Sequence, residues 1–208
     1  MAYNLYPGET LVTAATHKAD YILPVDGDLR KTEFIDTSDD GGARVRNGDL
    51  RAGRALKPDK IPTKAKREHP APQPLSDFYP AGGAFYVSDR FKALVEAFEP
   101  GVHQFFPVTV KSGNKHLGSL YLFNICNRID GMDYDACIPP ILPGHRVYSG
   151  LSQPGEKIVL SRRKIAGVHI WRDKRSTIEV FISDAFCAAM RAADLVNPQA
   201  SGPVEEVD

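Results

Sequence analysis

Between Ala84 and Val110 the chain writes a strand, a capped helix, a stop and a second strand in direct succession, and no other stretch limits the fold as much. Phe85-Tyr86-Val87 is an aromatic and β-branched run that suits a strand. Ser88 follows as a favoured N-cap, its hydroxyl able to accept from a backbone N–H of the first turn, and Asp89 lies at the positive end of the helix dipole. Apolar residues then recur at Phe91, Leu94, Val95 and Phe98, the spacing of one buried helical face. Pro100 disfavours helical backbone at Glu99, and Gly101 can take the left-handed conformation that closes a helix. The helix is therefore expected to end at Phe98 or Glu99.

An echo appears near the C-terminus. Phe181-Ile182-Ser183-Asp184-Ala185-Phe186 repeats the strand, the serine cap, the aspartate and the phenylalanine of the first unit, which predicts two equivalent strand-to-helix units. Between them, turn residues Lys111 to Lys115 join Phe105–Val110 to Leu117–Cys126 as an antiparallel hairpin, with Pro107 pushing the first strand toward an edge or bulge. Leu120 to Cys126 is almost continuously apolar, as expected of a central strand covered on both faces. Residues 127–156 read mostly as loop. A second hairpin is expected from Ala166–Trp171 and Thr177–Ile182, then a final helix from Asp184 to about Val196 and a frayed tail from Gly202.

Residues 1–75 differ in character. They hold short strand candidates at Leu11–Thr13 and Tyr21–Val25, a turn at Asp39–Gly42 and little helical period. A proline-rich stretch, His69 to Pro80, marks a seam. The expected class is α+β: a mainly antiparallel sheet with two strand-to-helix units packed on it over 76–208, preceded by a small β- and loop-rich region over 1–75.

Charge and cysteine content narrow the function classes. Lys plus Arg and Asp plus Glu are 26 each, so the net charge of zero gives no reason to expect nucleic acid or an anionic membrane as partner. Cys126, Cys137 and Cys187 form no CxxC pair, which fits a reducing cytoplasm. No signal-peptide pattern or membrane-spanning apolar run is present.

The catalytic inventory is sparse. The six histidines are scattered, no HExxH or phosphate-cradling glycine motif occurs, and no metal or other cofactor is expected. Ser88 and Ser183 read as caps, and Cys187 as a small packing residue. Two charged stretches remain. Asp130-Gly131-Met132-Asp133-Tyr134-Asp135 gathers three carboxylates after the central strand without the later ligands of a calcium loop. A basic run holds Arg44, Arg46, Arg51, Arg54, Lys57, Lys60, Lys64, Lys66 and Arg67 without the interleaved aromatics of a single-strand binder.

Phe85 to Glu96, the strand Gln104-Phe105-Phe106-Pro107-Val108, Leu120 to Ile125 with Ile129 to Asp133, and Gly167–Trp171 leading to Val180–Asp184 together resemble one bacterial family. It is an immunity-protein family of polymorphic toxin systems, first known as an uncharacterised domain and typified by a myxobacterial protein. The resemblance spans roughly residues 75–195. Members often continue past the last helix into a further Gly-Val strand, which Asn197-Pro198 and the acidic tail are not expected to form here.

The resemblance implies an immunity protein rather than an enzyme. Its partner would be a cognate toxin domain encoded next to it, neutralised through a protein–protein interface. Candidate contact residues are Asp130, Asp133, Tyr134 and Asp135, which would suit a basic toxin, and Arg44, Arg46, Arg51 and Arg54, which would suit an acidic one. Two other classes compete. One is a small cytoplasmic enzyme with a site assembled from distant residues such as His145, Asp133 and Ser149 or Cys137. The other is a regulatory module that binds a small ligand.

Overall fold

The computed structural model describes residues 1–7, 21–38, 49–68, 74–142, 155–176 and 179–208. Its strands are β1 Ala2–Pro7, β2 Ile22–Pro24, β3 Lys64–Arg67, β4 Phe78–Ala81, β5 Ala84–Val87, β6 Gln104–Ser112, β7 Lys115–Asn124, β8 Arg128–Ile129, β9 Val159–Ser161, β10 Ile170–Asp173, β11 Phe181–Ser183 and β12 Pro198–Val207. The helices are α1 Asp89–Phe98, α2 Arg162–Ile165 and α3 Asp184–Ala192. The strands form two six-stranded sheets, ordered β8-β10-β11-β1-β12-β9 and β2-β3-β6-β7-β5-β4. The fold is α+β.

The two strand-to-helix units adopt the same local geometry for the same reason. Ser88 (φ −77°, ψ 170°) and Ser183 (φ −72°, ψ 160°) are extended caps whose hydroxyls accept from Phe91 N at 3.2 Å and Phe186 N at 3.1 Å. Each satisfies one backbone donor that the first helical turn leaves open. The caps aim Phe91 and Phe186 at one another, with ring centroids 6.2 Å apart in an edge arrangement. Phe78, Phe85 and Phe123 from one sheet and Leu5, Ile170 and Ile182 from the other close the same cluster. The central core thus lies between the sheets, and burial of each of its large side chains contributes roughly 1.5–3 kcal/mol. The outward face of each sheet carries its own apolar cluster, around Tyr86, Leu120 and Leu122 on one and Trp171, Phe181 and Leu160 on the other.

The expected β6–β7 hairpin forms, with Phe105 opposite Phe123 and Val108 opposite Leu120. Pro107 is tolerated in an interior strand for a local reason. Thr109 N donates to Thr63 O across to β3, so Pro107, two residues earlier, turns its donorless nitrogen the same way where β3 has not yet begun.

The C-terminal expectations change. The final helix stops at Ala192 instead of continuing to about Val196. Tertiary hydrogen bonds claim the following residues: Arg90 reaches Ala193 O at 2.6 Å, Asp77 accepts from Val196 N at 2.8 Å, and Asn197 donates to Phe78 O at 2.7 Å. Asp194 and Asn197 take positive φ to make these contacts. The tail is not frayed. It forms β12, antiparallel to β1 (Leu5 opposite Ala200) and parallel to β9 (Glu206 opposite Leu160), so a strand does follow the last helix. The two strands of the second hairpin pair antiparallel, with Ile170 opposite Ile182, but the first strand runs on to Asp173, through residues read as the turn. The strand at Leu11–Thr13 and the turn at Asp39–Gly42 lie outside the described residues.

Candidate functional site

The acidic stretch after β7 is wired into the sheet. β8 pairs in parallel with β10, which brings Arg128 beside Arg172 and Ile129 beside Asp173. Asp173 is fully buried and accepts from Gly131 N at 2.7 Å and Arg175 N at 2.8 Å. Burial pushes its carboxyl up to about 6, against the lowering effect of those hydrogen bonds. Met132 is wholly buried and bridges to Leu160.

Around this anchor the side chains neutralise one another. Tyr134 donates its hydroxyl proton to Asp130, and Arg175 Nε donates to the same phenolic oxygen at 2.6 Å. The Arg175 guanidinium also lies 3.9 Å from Asp130. Arg175 and Lys164 stand 5.1 and 5.0 Å from the Tyr134 ring centroid, in cation–π range. Asp133 is half-buried and accepts from Ala136 N at 3.0 Å. Of the four candidate residues here, Asp135 alone is exposed.

The basic run is dispersed by the fold. Arg44 and Arg46 lie outside the described residues. Arg54 is 5% exposed and donates to Asp36 O at 2.9 Å and Ser38 O at 2.7 Å, clamping a loop with its charge turned inward. Arg67 is buried too, and Lys57 pairs with Glu33 at 2.8 Å. Arg51 is exposed and lines a cleft of about 340 Å³ with Phe85, Arg172 and Glu179. Lys64 and Lys66 are different, because alternation in β3 buries Ala65 and Arg67 and turns both lysines outward.

Sequence spacing gave no hint that residues of the β6–β7 hairpin would join them. Lys66 is the Cα partner of Lys111, Lys111 of His116, and Lys64 of Thr109. In the sequence Lys111 opens the turn Lys111–Lys115 and His116 is one of six scattered histidines. The missing information was the parallel β3–β6 register, a long-range pairing that no local pattern encodes.

Groups with catalytic chemistry also meet in the fold. Glu99, His103, Gln104, Asn124 and Cys126 form one network where α1 ends. His103 Nδ1 accepts from Cys126 N at 3.1 Å, which places the ring proton on Nε2, donated to Glu99 at 2.6 Å. Glu99 further accepts from Asn127 at 2.9 Å and His169 N at 2.7 Å. Burial raises the Glu99 carboxyl, but these donors outweigh it and hold it below the usual range. Cys126 is not activated by its neighbours, since burial pushes its thiol up to about 11. The network joins α1 to both sheets.

Other candidates are similarly occupied. Cys137 is buried with its thiol raised, its sulfur 3.6 Å from Val159 O. Ser183 lies 2.8 Å from His169 Nδ1 while capping α3, and among the described residues no carboxylate reaches the other ring nitrogen. His145 and Ser149 lie outside the described residues. No group of three or more His, Cys, Asp or Glu side chains among the described residues is placed to hold a metal. No helix there is long and apolar enough to cross a membrane.

In a comparison with known families the chain matches the Immunity protein family (Imm11) over residues 28–201. That range takes in both hairpins, both capped helices and the charged stretches. No curated protein matches the chain.

Proposed function

The chain belongs to the Imm11 immunity protein family, and from that premise we propose that it binds a cognate toxin domain and neutralises it by surface contact. The family match across most of the chain carries this reading. It is supported by the fold's use of its catalytic-type residues: Ser88 and Ser183 cap helices, and Glu99 and His103 tie α1 to the sheets. Neutralisation of this kind needs no chemistry in the inhibitor. It needs a complementary interface, commonly about 800 Å² on each partner, with a few anchoring side chains. The partner would be encoded beside this chain and met in the cytoplasm.

The contact residues anticipated from sequence enter this proposal unequally. Asp130, Asp133, Tyr134, Asp135 and Arg51 have surface to offer, although Asp130 and Tyr134 also bind each other, whereas Arg54 is buried. The test is co-expression with the C-terminal domain of the neighbouring toxin gene. A stoichiometric complex and restored growth are expected. Toxin activity that persists with the chain present in excess would sink the reading.

A further inference from the structure

Four neighbouring strands, β2, β3, β6 and β7, expose polar residues beside α1, on the face of the sheet opposite the Tyr86–Leu120–Leu122 cluster. Register places Leu23, Lys66, Lys111 and His116 in one row across all four strands. Lys64, Thr109 and Ser119 make a second row, and Pro107 and Tyr121 a third. Lys64, Lys66, Lys111, His116 and Ser119 are all exposed. The first row spans about 14 Å across the four strands at the usual spacing. Lys92 of α1 closes one side, its ammonium 4.3 Å from the Tyr121 ring centroid.

Among the described residues the carboxylates nearest this face sit at its margins: Asp26 attracts Lys64, and Asp89 accepts from the Tyr121 hydroxyl. No carboxylate among the described residues makes an ion pair with Lys64, Lys66 or Lys111. Asp26, two residues past β2, accepts from the Thr63 and Lys64 backbone N–H groups at 2.8 and 2.9 Å and makes no ion pair with Lys66 or Lys111. Lys66 beside Lys111 is moreover a like-charge pair on adjacent strands, which costs the sheet stability, where a β-branched polar residue would add some. Folding is therefore a poor reason for these lysines. An acidic partner is a good one, because unpaired surface charge of one sign both steers encounter and selects a complementary surface.

Resting on the immunity reading, we propose that this lysine face is where the toxin docks, and that it meets an acidic surface of the toxin domain. Lys64, Lys66 and Lys111 supply the charge, and Tyr121 with Lys92 supplies an aromatic anchor at the rim.

The experiment is a titration of the purified toxin domain with the full chain and two triple variants, K64E/K66E/K111E and K64M/K66M/K111M, with folding checked by circular dichroism. Charge reversal is expected to weaken binding about 100-fold or more and neutralisation about 10-fold, with the wild-type affinity falling as salt rises. Unchanged affinity in both variants, with loss of binding in D133K/D135K instead, would overturn the proposal and leave the immunity reading standing. No complex with the wild-type chain would sink both. A fluorescent single-stranded DNA 20-mer that bound in a lysine-dependent way at physiological salt would assign the face to nucleic acid and overturn the acidic-protein partner.

Discussion

Asp130 is held by Tyr134 and Arg175, and Asp173 beneath it by two backbone N–H groups, whereas Lys66 stands next to Lys111 and neither makes an ion pair with a carboxylate among the described residues. The acidic loop is a charge run in the sequence, whereas the lysine face is assembled by sheet register, and the two do different work. In the loop, charge is largely structural: Asp130, Asp133 and Arg175 each have a partner within the chain, and only Asp135 stands exposed. On the lysine face, Lys66 and Lys111 make no ion pair among the described residues. The comparison teaches that a charged stretch is best judged by what already satisfies it.

The largest effect that would sharpen this contrast is a pH dependence. Asp173 has its carboxyl raised to about 6 by burial, so the folded chain holds that proton more tightly than the unfolded one. Its contribution is greatest below the unfolded value near 4 and is lost as pH rises toward and through 6. At about 1.4 kcal/mol per unit, the change is on the order of 3 kcal/mol. Urea denaturation from pH 4 to 7 should show this fall in the wild type and its loss in D173N, which instead bears a constant cost for one missing acceptor. Parallel profiles for the two proteins would mean that Asp173 is not the buried anchor of the loop.

Next comes Arg175→Met, which leaves Asp130 and the Tyr134 hydroxyl without their cation. It should cost about 1–2 kcal/mol in chemical denaturation while changing toxin affinity less than about threefold. Tyr134→Phe removes one hydroxyl from the same network and should cost about 1 kcal/mol. A large affinity loss in either variant, with stability intact, would move the functional surface to the loop. The smallest effect belongs to Lys66→Thr: stability should rise by a few tenths of a kcal/mol as the like-charge pair is relieved. A clear loss of stability would show that Lys66 has a structural partner after all.

Much of the central scaffold was legible because its signals are local. Ser88 and Ser183 announce their helices by cap chemistry, and Phe91 and Phe186 fall where the helical period requires. The β6–β7 hairpin was readable from its turn residues and alternation. What escaped depended on distant pairings. Leu195 and Val196 extend the helical pattern of α3, but Asp77, Arg90 and Phe78 draw that segment off the helix axis with hydrogen bonds more than a hundred residues away in sequence. β12 has little apolar character of its own and exists because β1 and β9 flank it. The candidate site divides the same way: the charged runs were visible, while the burial of Arg54 and the pairing of Lys66 with Lys111 follow from the sheet register.

The most direct measurement is an amine-reactive footprint of the chain alone and in complex with its toxin domain, read by mass spectrometry at each lysine. Lys64, Lys66 and Lys111 should lose most of their reactivity in the complex, while Lys157, Lys164 and Lys174 keep theirs. Protection of Lys164 and Lys174 beside the acidic loop, with Lys64, Lys66 and Lys111 labelled as in the free chain, would contradict the assignment of the lysine face as the toxin-binding surface.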